Sequence, residues 1–210
     1  MKKKKPKILY LGFYPKLNYF LKKKIVKKRI KNNIIIAPTD FYAFPKLTIQ
    51  PYLEKLIISL LKEEFKITYR PHPSNVKVKK VLNLVKKFES VKNFELDISS
   101  NYFKSYSKSN LMITDISGTA YTYAFLTKNP VFFYSPNEKK IQNSFYINLN
   151  FFKDRSKIGK IFLNLRLLIN FLKKNKNNKF KLTFKKNIID IYKKNFDNFN
   201  QNVFKKLYDK

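Results

Sequence analysis

Leu111–Tyr134 reads LMITDISGTAYTYAFLTKNPVFFY. It opens and closes on short apolar runs, Leu111–Thr114 and Val131–Tyr134, rich in the branched and aromatic residues that strands favour. Between them Asp115-Ile116-Ser117-Gly118-Thr119 makes a turn, Ala120–Leu126 has helical composition, and Asn129-Pro130 stops the helix. Strands apolar on both faces belong to sheets covered on both sides, and a helix between two of them makes the pair parallel. The stretch predicts a β-α-β unit.

The same alternation extends upstream. Asn33–Ala37 is a strand closed by Pro38-Thr39-Asp40, followed by a long aromatic and proline-rich loop to Gln50. Pro51 suits a first helical turn, with Leu53, Leu56, Ile57, Leu60 and Leu61 at helical spacing behind it. Phe65–Arg70 is a strand, Val78–Phe88 a helix, Asn93–Leu96 a short strand and Asn101–Ser107 a turn or short helix. The order β-α-β-α-β-α-β-α-β predicts a Rossmann-like α/β fold, a parallel sheet with crossover helices. Downstream, Ser135–Asp154 reads as loop, Lys157–Leu172 as a strong helix, and Lys185–Lys194 and Asn202–Asp209 as amphipathic C-terminal helices. The expected organisation is a basic segment and connector over 1–32, a Rossmann-like ligand-binding domain over 33–155, and a C-terminal helical extension over 156–210.

Apolar residues make up 44% of the 210, enough for a packed core, so a disordered chain is excluded. No apolar run is long enough for a spanning helix, and the basic start lacks the clean apolar stretch of a signal peptide. The absence of cysteine excludes disulfides and thiolate metal sites and fits a cytoplasmic protein. The formal charge of +33 has two readings. One is attraction to nucleic acid or an anionic membrane. The other is compositional drift, since Lys, Asn, Ile and Phe are inflated together. Only four arginines occur, Arg29, Arg70, Arg155 and Arg166, although Arg is the better reader of phosphate.

One arginine adjoins the only histidine, in Arg70-Pro71-His72-Pro73. Two flanking prolines present His72 on a stiff turn at a strand's carboxyl end. There it can donate to an anion or act as acid or base, or be an exposed loop residue with no role. The Asp115–Thr119 turn ends a second strand. Gly118 permits close backbone approach, and Ser117 or Thr119 can cap the following helix or bond a phosphate oxygen. Asp115 either orients the turn or contacts a ribose or amine. Thr39 ends a third strand. In a parallel sheet all three ends share one edge, where ligands bind. The expected ligand carries phosphate, and no metal or cofactor is expected, since no Cys/His cluster, P-loop or dinucleotide fingerprint occurs.

Four ordered stretches resemble the CDP-glycerol glycerophosphotransferases, the teichoic-acid polymerase and primase group. Leu11–Leu17 is similar to their G-x-P-R-x-D stretch, Ile34–Thr39 to a strand ending A-P-T, and Tyr69–Pro73 to Y-R-P-H-P. Leu111–Tyr134 resembles their strand, D-x-S, helix and K-P-V/I-F-Y block, with Asn129 where lysine is common. The resemblance spans about Leu11 to Lys210. It implies the C-terminal half of a GT-B fold and transfer of glycerol phosphate, or a related polyol phosphate or sugar, from a CDP- or other nucleotide-activated donor in teichoic-acid or capsule synthesis.

It also implies that His72, as the catalytic residue, and Arg70 bind the donor diphosphate, while Ser117, Gly118 and Thr119 close around phosphates or nucleotide. Implied partners are a lipid-linked polymer acceptor, an anionic membrane surface at the inner face of the cell membrane, and a partner chain carrying an amino-terminal half. Such a half holds the acceptor and another histidine in the family, and on this expectation the 210 residues alone turn over no substrate. The alternatives are a non-catalytic basic membrane- or nucleic-acid-binding protein, nucleic acid being disfavoured because lysine is spread along the chain, and a nucleotide-sugar epimerase-like relative.

Overall fold

A computed structural model describes Ile30, residues 32–175 and residues 181–193. The strands are β1 (Asn33–Ile36), β2 (Lys66–Tyr69), β3 (Phe94–Leu96), β4 (Leu111–Thr114), β5 (Val131–Tyr134) and β6 (Gly159–Phe162). The helices are α1 (Leu53–Lys62), α2 (Lys79–Phe88), α3 (Phe103–Lys108), α4 (Thr119–Thr127), α5 (Glu138–Gln142), α6 (Asn150–Lys153), α7 (Arg155–Ile158), α8 (Leu165–Lys174) and α9 (Lys181–Tyr192). All strand pairs are parallel, in the order β3-β2-β1-β4-β5-β6. From β1 the chain winds one way through β2 and β3, then returns to place β4 on β1's other side. The order reverses between β1 and β4, the switch point beside which open α/β sheets bind ligands.

The contiguous apolar strands divide by parity. Ile34, Ile36, Ile67, Tyr69, Leu111, Ile113, Phe132 and Tyr134 enter one core with Leu53, Leu56, Ile57 and Leu60 of α1, Val81 and Leu84 of α2, and Leu168 and Leu172 of α8. Ile35, Met112, Val131 and Phe133 enter the other with Tyr106 of α3, Ala120, Tyr123 and Ala124 of α4, and Ile188 and Ile191 of α9. Seven of the nine residues of α4 are buried, so this helix shows no apolar stripe. It ends at Lys128, whose φ of 56° is left-handed, before Asn129-Pro130.

The expected helix over Lys157–Leu172 is corrected. Helix α7 stops at Ile158, Gly159–Phe162 forms an edge strand on β5, and α8 restarts with Asn164 Oδ1 accepting from the Leu167 amide at 3.0 Å. Gly159 is the physical reason. A Cβ there would sit 1.6 Å from the Val131 carbonyl oxygen, so only glycine lets the strand approach. The segment after 155, expected to be helical, thus contributes the sixth strand. Ser135–Asp154, expected as loop, holds the short helices α5 and α6 and a 3₁₀ turn at Phe145–Asn148. The Leu11–Leu17 stretch, with most of the basic segment over 1–32, and Asn202–Asp209 lie outside the described residues.

Candidate functional site

The loop after β2 continues the sheet before leaving it. The Arg70 amide donates to Ile36 O at 2.9 Å, so β1 and β2 end level. Arg70 then turns its guanidinium along the edge. Nη1 lies 2.6 Å from Asp97 Oδ2 and Nη2 donates to Ser99 O at 2.8 Å. Asp97 follows β3 and also accepts from the Ser99 amide at 2.9 Å, from Ser99 Oγ at 2.6 Å and from Ser105 Oγ. Burial opposes its ionisation, but the bonds from Ser105, Ser99 and Arg70 outweigh it and hold the carboxyl below the usual range. Arg70, expected on a phosphate, thus ties the end of β3 to the loop that carries His72 and also lines the neighbouring cavity.

His72 is half-buried, its side chain 38% exposed. Its Nδ1 accepts from the Ser74 amide at 3.4 Å, and Asp40 Oδ2 lies 3.8 Å from the same nitrogen. Asn75, 1% exposed, ties the two loops together. Its Nδ2 donates to Asp40 Oδ1 at 3.1 Å and its Oδ1 accepts from the Phe41 amide at 3.3 Å. Asp40 also accepts from the Tyr42 amide at 2.9 Å.

Asp115, directly after β4, is fully buried. Oδ1 accepts from the amides of Thr39 at 2.9 Å and Ile116 at 2.7 Å, and Oδ2 from the amide of Ile49 at 2.9 Å. Burial pushes its carboxyl up, and the three amides pull it back. Of the two roles open to it, Asp115 performs the first: it orients the turn and has no surface to offer a ribose or amine. It also clamps both ends of the loop 39–49, on which Asp40 sits. Thr39 is buried against this clamp.

The capping expectation for Ser117 and Thr119 is corrected. No side chain caps α4, Thr119 Oγ1 is bonded to the Tyr106 hydroxyl, and Ser117 is buried with its carbonyl accepting from the Ala120 amide at 3.1 Å. Gly118 has helical φ and ψ of −59° and −21°, so the turn itself does not demand glycine. A Cβ there meets nothing within 4 Å. The space over the uncapped start of α4 is open.

Two cavities flank this edge. One of about 610 Å³ lies beside the His72 loop, lined by Arg70, Pro73, Lys77, Asp97, Ile98 and Tyr102 among others. The other, about 580 Å³, lies between the loop carrying Phe44 and Leu47 and helix α5, with Lys139 and Lys140 at its rim. The first lies against Pro71 and Pro73, on either side of the histidine, and against the residues that follow β2 and β3. Sequence reasoning placed Arg70, His72, Thr39, Asp115, Ser117, Gly118 and Thr119 on one edge, and the strand ends put them there. It did not single out Asp97 or Asn75. Asp97 had a readable signal, because it follows the last residue of a strand, as Asp115 does.

Residues 21–205 match the family described as CDP-Glycerol:Poly(glycerophosphate) glycerophosphotransferase. The minor teichoic acid biosynthesis protein GgaB of Bacillus subtilis (strain 168) is 32% identical over 107 residues, 50% of this chain and 10% of that protein. The wall teichoic acid polymerase TagF superposes with a TM-score of 0.60 at 21% identity, over 96% of this chain and 51% of that one. A variant of that polymerase soaked with CDPG gives 0.51 at 20% identity, over 93% and 45%. TarM gives 0.51 at 18% identity, over 78% and 33%. The structural likenesses identify the fold as one side of the GT-B architecture. The chain spans about half the length of the polymerase and a tenth of GgaB. The match over residues 21–205 covers most of the sequence, and the chain belongs to the CDP-glycerol:poly(glycerophosphate) glycerophosphotransferase family.

Proposed function

We propose that these residues form the donor side of a transferase that moves glycerol phosphate, or a related polyol phosphate, from a cytidine diphosphate donor to a cell-envelope polymer. The observation that carries the reading is the convergence of His72 and the open, uncapped α4 start at the sheet's switch point. The loops after β2 and β4 flank β1, two strand spacings apart, or roughly 10 Å. A nucleoside diphosphate spans such a gap. In this reading the diphosphate lies between His72 and the Ser117-Gly118-Thr119 turn, where α4's first amides and partial positive charge face it. The nucleoside extends into the cavity beside Asp97 and Ile98. Arg70 and Asp115 are positioning residues, one for each loop, and Thr39 packs under the crevice.

The chemistry is a displacement at phosphorus. The acceptor hydroxyl oxygen bonds to the β-phosphorus, the bond from that phosphorus to the bridging oxygen breaks, CMP leaves with the electron pair, and the hydroxyl proton goes to base or solvent. Negative charge builds on the leaving phosphate, and a charged His72 at that oxygen stabilises it. The acceptor and the membrane are proposed as partners on the family's account. Ile188 and Ile191 of α9, however, are buried in the core. The buried isoleucines are already used there, and Lys185 and Lys186 are exposed for a peripheral contact. Among the described residues no helix is long and apolar enough to cross a membrane.

Calorimetric titration with CDP-glycerol, CMP and UDP tests the reading. Selective binding of CDP-glycerol that persists at physiological salt supports it. Equal, weak binding of all three that vanishes with salt contradicts it, because a lysine-rich surface alone does that.

A further inference from the structure

Nδ1 of His72 faces two groups that ask opposite things of it. The Ser74 amide donates to it at 3.4 Å, which requires a bare nitrogen and places the neutral ring's proton on Nε2. Asp40 Oδ2, 3.8 Å away, requires a proton on that same nitrogen. Asp40 does not swing freely: Oδ1 is held by Asn75 Nδ2 at 3.1 Å and by the Tyr42 amide at 2.9 Å, leaving Oδ2 toward the ring. The Asn75 bond, then the Tyr42 amide, also hold its carboxyl below the usual range, so it is anionic wherever an imidazole titrates. The other charged groups around the loop are Arg70, which is paired with Asp97, and Lys77, which is exposed on the following turn and opposes a second positive charge.

We propose that Asp40 is a positioning residue that makes His72 take up a proton when a diphosphate ligand binds. With the ligand's phosphate on Nε2 and Asp40 on Nδ1, the imidazolium sits between two anions. One proton passes from solvent to the ring, Nδ1 exchanges the Ser74 amide for Asp40, and no other bond changes. The donor thereby charges the group that stabilises its own leaving phosphate. This rests on the reading of His72 as a diphosphate ligand.

CDP-glycerol is the suitable probe, because as a diester its phosphates do not titrate near neutrality. Titrations at pH 7.5 in buffers of different ionisation enthalpy count the protons taken up. The wild-type chain takes up a substantial fraction of one proton. Asp40→Asn keeps an oxygen for Asn75 and Tyr42 but takes up close to none, and binds about fivefold more weakly at pH 7.5. The loss shrinks at pH 5.5, below the ordinary value of an imidazole. His72 is the only histidine, so its imidazole nitrogen resonances are unambiguous. Both move to protonated positions on adding the probe to wild type, and not to Asp40→Asn. Binding that depends on His72 but takes up no proton, or uptake unchanged in Asp40→Asn, overturns the proposal alone. Binding unaffected by His72→Gln removes the site reading as well.

Discussion

Arg70 Nη1 lies 2.6 Å from Asp97 Oδ2, joining the carboxyl ends of β2 and β3 just before the chain turns into Pro71-His72-Pro73. The pair is mostly buried, and the Asp97 carboxylate is further tied to Ser99 and Ser105. Arg70→Ala therefore leaves a buried carboxylate without its cation and is expected to cost about 2–3 kcal/mol. Urea unfolding measures it. The pH dependence follows from a depressed folded pKa. The contribution of Asp97 is present above the unfolded value, near 3.9, and is lost as pH falls through the lower folded value. Asp97→Asn flattens that acid limb.

Gly118 separates a folding role from a binding role. Its φ is helical and its Cβ direction is empty, so Gly118→Ala is expected to change stability by less than about 1 kcal/mol. In the proposed site the added methyl stands where the diphosphate approaches α4, and affinity for CDP-glycerol is expected to fall about tenfold or more, as when a close charged contact is lost. Thermal unfolding beside calorimetry distinguishes the two effects. Unchanged affinity would move the ligand off this turn.

Gly159 has the reverse character. A methyl at 1.6 Å from Val131 O cannot be accommodated without separating β6 from β5. Gly159→Ala is expected to cost about 3 kcal/mol or more. Hydrogen exchange should localise the loss to Gly159–Phe162 and α8, while amides of β1 and β4 stay protected.

Arg155 and Glu138 form an ion pair 1% and 6% exposed, with Arg155 Nη2 2.6 Å from Glu138 Oε1 and the guanidinium over the rings of Phe133 and Phe152. Arg155→Met alone is expected to destabilise by about 3–5 kcal/mol, because it strands a buried carboxylate. The double variant Arg155→Met, Glu138→Leu is expected to recover most of it. A double-mutant cycle by denaturant unfolding reads both.

The fold was legible where local pattern and tertiary role coincide. Ile34-Ile35-Ile36 and Val131–Tyr134 are apolar on consecutive residues because each face of the sheet is covered. Strand β6 was not legible, because Ile158, Ile161, Leu165, Leu168 and Leu172 keep helical spacing across it, and only the backbone approach at Gly159 reveals it. Within the site, His72 and Gly118 stood out by scarcity and position. The bonding partners of Asp97, Asn75 and Asp115 did not, since Arg70, Phe41 and Ile49 lie 27, 34 and 66 positions away and such pairings leave no mark on local sequence.

The most direct test of the donor-site account is the affinity of CDP-glycerol for the wild-type chain and for His72→Ala, at physiological salt. Loss of a charge-assisted bond to phosphate predicts weakening by about 1.5–3 kcal/mol. Stability should stay nearly constant, because the ring is partly exposed and its one amide bond is long. Unfolding of His72→Ala with undiminished affinity would contradict the account and make His72 a structural residue.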